Sequence, residues 1–191
     1  MKGKKQEKKR ILNLGCGYEH FGTDFVDLYS TRPEVIPLKI DEQKLPFPNN
    51  YFDEVYSRNV LEHVKNVGFV FSEIKRVLKP KGKLVLVTDN ASYYLFHLWK
   101  PYSAHYFNYA AHGVEDKHFA LFTTTHLENF LNSVNLKIEK IDLITWYDPN
   151  KENPVQKYPV KSKLAIPNRI VGKLPVISHM AFPRILVIAK K

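Results

Sequence analysis

The chain has 191 residues, 29 Lys+Arg against 19 Asp+Glu for a net charge of +10, and a composition 44% hydrophobic and 13% aromatic, which excludes a disordered polypeptide and suffices for one buried core. A single cysteine, Cys16, excludes an intramolecular disulfide, a cysteine zinc site and a redox pair, in keeping with a cytoplasmic protein. No apolar run approaches the roughly 18 residues of a spanning helix, and the opening MKGKKQEKKR has no apolar signal core, so neither a membrane span nor secretion is expected.

The charge is unevenly placed. Residues 1–10 carry +5 and residues 151–191 carry +8, which leaves −3 over residues 11–150. A nucleic-acid partner held through the basic termini is one reading of this, and two solubilising tails are the other. Residues 1–10 read as a flexible basic arm and residues 11–191 as a single domain.

In chain order, Arg10–Leu14 (RILNL) reads as a buried strand running into a turn at Gly15. Thr23–Asp27 and Val35–Ile40 follow as strands, the second held to a short or edge position by Pro37, and Phe52–Ser57 is a fourth. Apolar residues at 67, 70, 71, 74, 77 and 78 have helical spacing, and the helix must stop before Lys79-Pro80-Lys81-Gly82. Lys83–Thr88 (KLVLVT) is the clearest strand. Thr123–Val134 reads as a helix, with Thr124 or Thr125 and Glu128 as its capping pair and Leu127, Phe130, Leu131 and Val134 on one side. Leu136–Trp146 and Ile185–Ala189 are late strands. This alternation predicts an α/β fold with a mostly parallel sheet. Two stretches interrupt it: a lid insert at about 90–122, with ten aromatic residues and four histidines between 91 and 122, and a proline-rich excursion at about 148–183.

The chemistry begins at Gly15-Cys16-Gly17, where glycines let backbone approach a ligand. A dinucleotide fingerprint needs a third glycine where His20 stands and an acid about 20 residues on, whereas Asp27 is ten residues past Gly17. The spacing suits a nucleoside without phosphates, with Asp27 accepting hydrogen bonds from ribose hydroxyls. Without such a ligand the same glycines form a plain strand-exit turn.

Further blocks extend the pattern: LNLGCG at Leu12–Gly17, FVDL ending at Leu28, DEQKLPF at Asp41–Phe47, Phe52-Asp53, SRNVLEHV at Ser57–Val64 and EIKRVLKPKGKLVLVT at Glu73–Thr88. From about Ile11 to Leu143, and again at the last strand, the chain resembles the class I methyltransferases of the methyltransferase-11 type, which use S-adenosylmethionine. The resemblance implies a Rossmann-like fold with an antiparallel last strand. It implies S-adenosylmethionine as methyl donor and S-adenosylhomocysteine as product. It would set Gly15, Cys16 and Gly17 along the methionine part of the cofactor, Asp27 and Leu28 at the ribose, Asp41 and Glu42 at the adenine, and Asn59 facing the transferred methyl group. The chain departs from the pattern at Asn13, where many members have an acidic residue, and in its short link between the first two strands.

Cys16, committed to the glycine turn, is badly placed as a nucleophile toward a pyrimidine carbon. Ser57-Arg58-Asn59-Val60 stands where enzymes that methylate exocyclic amines carry an N/D-P-P-Y-like motif. His118, ahead of Phe122-Thr123, resembles the family's H-x-x-x-F-T element; it is a candidate base or acceptor-orienting residue, or a histidine bonded to lid backbone. His63 has the same two readings within its helix. No metal is expected, because His105, His112, Glu115 and His118 match no standard ligand spacing. The aromatic residues of the lid either stack an acceptor or pack on one another. The favoured acceptor is a small molecule or glycan-type metabolite; an RNA methyltransferase and a non-catalytic S-adenosylmethionine- or RNA-binding module are the alternatives.

Overall fold

A computed structural model describes residues 9–94, 108–111, 114–157, 169–175 and 177–191. Its elements are β1 (Ile11–Leu14), β2 (Asp24–Asp27), β3 (Val35–Pro37), β4 (Phe52–Arg58), α1 (Val67–Val77), β5 (Leu78–Asp89), β6 (Asn108–Ala111), β7 (Val114–Lys117), α2 (Thr124–Ser133), β8 (Lys137–Ile144), β9 (Trp146–Tyr147), β10 (Val155–Gln156) and β11 (Arg184–Lys190). Seven strands form one sheet in the order β3-β2-β1-β4-β5-β11-β8. Neighbours from β3 to β5 are parallel, and β11 runs antiparallel to both β5 and β8. This is the mostly parallel sheet with an antiparallel last strand that the sequence predicts.

Several boundaries differ from expectation for local reasons. β3 ends at Pro37 and pairs only with β2, since proline lacks the N–H that a second neighbour would need. β5 already begins at Leu78, but its register with β4 slips between Phe52 and Glu54, so the Lys79–Gly82 stretch bulges out before the regular ladder resumes at Lys83. Helix α1 is capped by Asn66, whose side chain accepts from the Phe69 N–H. The cap of α2 is Thr123 rather than Thr124 or Thr125, and its reciprocal partner is His126, not Glu128: Thr123 Oγ1 accepts from the His126 N–H, and His126 Nδ1 accepts from the Thr123 N–H. The late strand expected over Leu136–Trp146 breaks at Thr145, and β9 pairs with β10 as a separate two-stranded ribbon. Within the lid, β6 and β7 form an antiparallel hairpin, while residues 95–107 lie outside the described residues. Residues 1–8 of the arm and 158–168 of the excursion also lie outside them.

Strand alternation divides the sheet into two faces. Leu84 and Leu86 of β5, and Ile185, Val187 and Ala189 of β11, join Leu12, Leu14 and Val26 beneath Val70, Phe71 and Ile74 of α1 and Leu127 and Leu131 of α2. On the opposite face, Val85 and Val87 with Leu186 gather around Tyr56, Ile144 and Tyr147, flanked by Phe21, Val155 and Ile188. The partly buried apolar residues packed on this second cluster come from a loop and from strands. The link from β1 to β2, nine residues from Gly15 to Thr23, forms a tight loop: the Gly15 and Cys16 N–H groups both donate to Val26 O, and the Thr23 N–H donates to Ile11 O.

Candidate active site

A cavity of about 720 Å³ opens at the carboxyl ends of β1, β2 and β4, walled by the glycine loop, Asp27 to Tyr29, Leu38 to Asp41, Arg58 to Val60, His63 to Lys65, Phe119, Trp146 and Arg184. The position follows from the fold: parallel strands end together on one edge, and the loops after them enclose the crevice.

Gly15 has φ +70°, and a Cβ there would lie 2.2 Å from Val60 Cγ2, so only glycine lets the loop turn this close to the end of β4. At Gly17, φ is +48° and a Cβ would meet nothing within 4 Å. Its N–H donates to Asp27 Oδ2 at 2.8 Å, and Asp27 Oδ1 accepts from the N–H groups of Tyr29 and Ser30. Asp27 thus ties the glycine loop to the end of β2. Cys16 between the glycines is buried and accepts from Arg32 Nη2; burial, with the nearby Asp27 charge, pushes its thiol up to about 11. Such a thiol is almost wholly protonated at neutral pH, in keeping with the exclusion of a cysteine nucleophile.

Asp41 is buried on the cavity wall and accepts from the Lys65 N–H at 2.9 Å. Glu42 is not brought there: its carboxylate pairs with Lys39 Nζ on the outside, and it is not among the residues that line the cavity. The cavity therefore offers three carboxylates, Glu19 beside the glycine turn and Asp27 and Asp41 beside apolar Leu28, Leu38, Ile40, Val60 and Val64. Acceptors for hydroxyl and amino hydrogens around an apolar slot fit a ribose and a flat base without phosphates.

Asn59 follows β4 with φ +53° and is held by its amide: Nδ2 donates to Glu62 Oε1 at 3.0 Å and to Asp89 Oδ1 at 3.2 Å. Glu62 is fully buried, accepts from Thr88 Oγ1 at 2.8 Å, and receives the Phe119 N–H on its backbone oxygen. Burial raises the pKa of Glu62, and burial together with the Glu62 charge lifts Asp89 to about 7.

His63 lines the cavity and meets His118 edge to face, with ring centroids 4.3 Å apart. His118 itself does not line it; burial, and then repulsion from His63, pushes its pKa down to about 4, so the ring is neutral at neutral pH. One potential ligand atom each of Glu62, His63 and His118 lies within 4.8 Å of the others, although both Glu62 oxygens already accept hydrogen bonds. His105 and His112 lie outside the described residues.

The wall facing the acids is cationic and aromatic. The indole of Trp146 has the Arg58 guanidinium 4.6 Å and the Arg184 guanidinium 5.1 Å from its centroid, and Lys65 Nζ sits 5.1 Å from the exposed Phe119 ring. Arg58 Nη1 donates to Tyr147 O and its Nη2 pairs with Glu19; Arg184 Nη1 donates to Thr145 O. Sequence reasoning misses Glu19, Arg58, Trp146 and Arg184. Arg58 stands next to Asn59 within a recognised block, but the other three come from a loop, a two-residue strand and the start of the last strand, and no spacing links them.

Comparisons with known proteins identify the family and the fold. The model of the methyltransferase domain family matches residues 1–141. An uncharacterized protein of Methanocaldococcus jannaschii is 38% identical over 104 residues, 46% of this chain and 45% of that protein. The ubiquinone/menaquinone biosynthesis C-methyltransferase UbiE of Chromobacterium violaceum is 37% identical over 73 residues, 38% of this chain and 28% of the enzyme. The matches thus span less than half the length of these relatives. Among solved structures, an S-adenosylmethionine-dependent methyltransferase of Archaeoglobus fulgidus shares the fold with a TM-score of 0.64 at 16% identity, covering 97% of this chain and 87% of that one. One from Methanosarcina mazei has a TM-score of 0.60 at 18% identity, covering 97% and 93%. Fold and crevice define a Rossmann-like class I methyltransferase architecture. The chain belongs to the methyltransferase domain family, whose methyl donor is S-adenosylmethionine.

Proposed function

We propose that the protein transfers a methyl group from S-adenosylmethionine to a small acceptor that enters between Trp146 and Phe119. One observation carries this reading: a single crevice of about 720 Å³ joins an acidic and apolar end, suited to adenosine, to an end walled by an exposed indole that two guanidinium groups approach. A ring left 39% exposed at Trp146, and another 51% exposed at Phe119, gives little to the core but offers stacking surface to a flat acceptor. The similarity to a ubiquinone/menaquinone biosynthesis C-methyltransferase and to a malonyl-[acyl-carrier protein] O-methyltransferase supports an acceptor group of metabolite size, free or carried, rather than a nucleic acid.

When bound, the cofactor supplies a methyl group on a positively charged sulfur. The chain then has to hold the acceptor in line and keep water out. Asn59, fixed by Glu62 and Asp89, sets the floor of the crevice. Gly15, Cys16, Gly17, Asp27, Leu28 and Asp41 are proposed to hold the cofactor. Of the two histidines, His63 is the one in position to orient an acceptor or take its proton, and neutral His118 supports its ring.

Calorimetric titration with S-adenosylhomocysteine tests the first half of this reading. Binding is expected in the wild type and weaker by about 1–3 kcal/mol in Asp27→Ala, as for loss of a charge-assisted acceptor. Absence of binding would leave a module without catalysis. Transfer of labelled methyl from S-adenosylmethionine into a metabolite extract, against a purified RNA fraction, tests the second half. Label confined to RNA, with binding that falls steeply as salt rises, would establish the RNA reading through the basic termini instead.

A further inference from the structure

S-adenosylmethionine ends in a zwitterion, an α-ammonium beside an α-carboxylate. Within the family an acidic residue commonly stands at the position of Asn13, but here Asn13 is neutral and fully buried, and its amide donates to Phe21 O at 3.0 Å. The first strand therefore offers no anion to the crevice.

The loop that replaces the first crossover helix brings one from elsewhere. Glu19 is folded back by its own N–H, which donates to Cys16 O at 2.8 Å, and by Arg32 Nη1, which donates to Glu19 O at 3.0 Å. This returns its carboxylate to the second face of the sheet, where it pairs with Arg58 and lies close to Asn13 and Tyr56; burial raises its pKa, and Arg58, Asn13 and Tyr56 each act against that rise. Side chains of Glu19 and Arg58 keep 23% and 20% of their surface, and both line the crevice next to the glycine turn. A half-buried ion pair on the wall of a ligand crevice does little for stability once its desolvation is counted, so its charges are open to a ligand that presents the same two in reverse. Arg58 has five N–H donors, of which Tyr147 O and Glu19 engage two.

We propose that Glu19 and Arg58 form the site for the amino-acid end of the cofactor, with Glu19 receiving the α-ammonium in place of the acid missing at position 13 and Arg58 receiving the α-carboxylate. This rests on the S-adenosylmethionine reading of the crevice. It adds a binding pair that the glycine motif does not contain, supplied by the shortened β1–β2 loop and the end of β4.

Calorimetry separates the two claims. The wild type is titrated with S-adenosylhomocysteine, with its deaminated and decarboxylated analogues, and with 5′-methylthioadenosine, which has no amino-acid part. Loss of either charged group is expected to weaken binding tenfold or more. In Glu19→Gln the ammonium no longer contributes, so S-adenosylhomocysteine and its deaminated analogue bind alike; in Arg58→Gln the same holds for the decarboxylated analogue. Binding of 5′-methylthioadenosine stays within about twofold in both variants. Equal affinity of wild type for all four ligands overturns the proposal while leaving an adenosine site intact, and it does so without any variant having to fold. A parallel fall for all four ligands in the variants also overturns it, since the pair would then only brace the loop. If the wild type binds none of them, the cofactor reading of this crevice fails as well.

Discussion

The two faces of the sheet are built by different means. On one, α1 and α2 press Phe71, Ile74, Leu127 and Leu131 onto alternate residues of β1, β5 and β11, and the side chains named are all fully buried. On the other, Tyr56 and Tyr147 stack with centroids 6.0 Å apart, Phe21 meets Tyr56 edge to face at 5.1 Å, and Val155 and Ile188 remain only partly buried. A face with helices gains most of its stability from apolar burial. The other face, packed among the described residues by strands and a loop, also carries polar and charged groups, Asn13, Glu19, Glu54 and Arg58, of which Glu19 and Arg58 line the crevice. Glu54 illustrates the point: it is buried at the foot of β4 and matched by Lys9 at 2.7 Å and Lys83 at 3.7 Å.

The largest expected effect lies on the helical face. Phe71 is fully buried and stacks on Phe130 at 5.9 Å, so Phe71→Ala should lower the free energy of unfolding by about 3–5 kcal/mol in a denaturant titration, whereas Ile188→Ala on the other face should cost about 1 kcal/mol. Equal losses would break the contrast between the faces.

Next comes the loop that joins them. Gly15→Ala drives a methyl group into Val60 on the helical face and is expected to destabilise by about 2–4 kcal/mol and abolish binding of S-adenosylhomocysteine. Gly17→Ala, with open space and only the left-handed φ to bear, should cost about 1 kcal/mol, read by thermal melts of both variants side by side.

The finest test is electrostatic, at the point where Asn59 bridges the faces. By strand alternation Thr88, bonded to Glu62, lies with Leu86, and Asp89 lies with Val87. The pKa of Asp89 is raised from its ordinary 3.8 to about 7, so the fold favours its protonated form; the associated stability is present in full below the unfolded value and is lost as pH rises through the folded one. Asp89→Asn keeps an acceptor for Asn59 and removes the charge. It should raise Tm by about 2–4 °C relative to wild type at pH 8, the shift that about 1 kcal/mol gives in a chain of this size, and by less at pH 5. A gain that does not depend on pH would show that Asp89 does not titrate in this range.

Much of this architecture is legible in the residues themselves. KLVLVT, apolar at nearly every position, reads as the clearest buried strand, RILNL reads as a buried strand entering a turn, and Pro37 marks a short or edge strand. The family resemblance carried by the glycine, acidic and LEHV blocks implies a site at Asp27, Asp41, Asn59 and His63, and all four line one crevice. Glu42 shows where adjacency misleads: one residue from Asp41, it leaves the cavity to pair with Lys39. The cap of α2 shows it again, because a histidine nitrogen does the work assigned to a glutamate.

Periodicity and local chemistry determined the strands, the helices and the phosphate-free character of the glycine turn, because these depend on which residues stand two, three or four places apart. The far wall of the crevice depends on residues that stand far apart in the chain. Arg58 and Arg184 meet across Trp146 only because β11 runs antiparallel to β5, which brings its first residue to the edge where the parallel strands end. Glu19 reaches Arg58 only because a nine-residue link is too short to hold a helix and folds back over the sheet. Such meetings are set by topology and loop closure, and no pattern within a single segment encodes them.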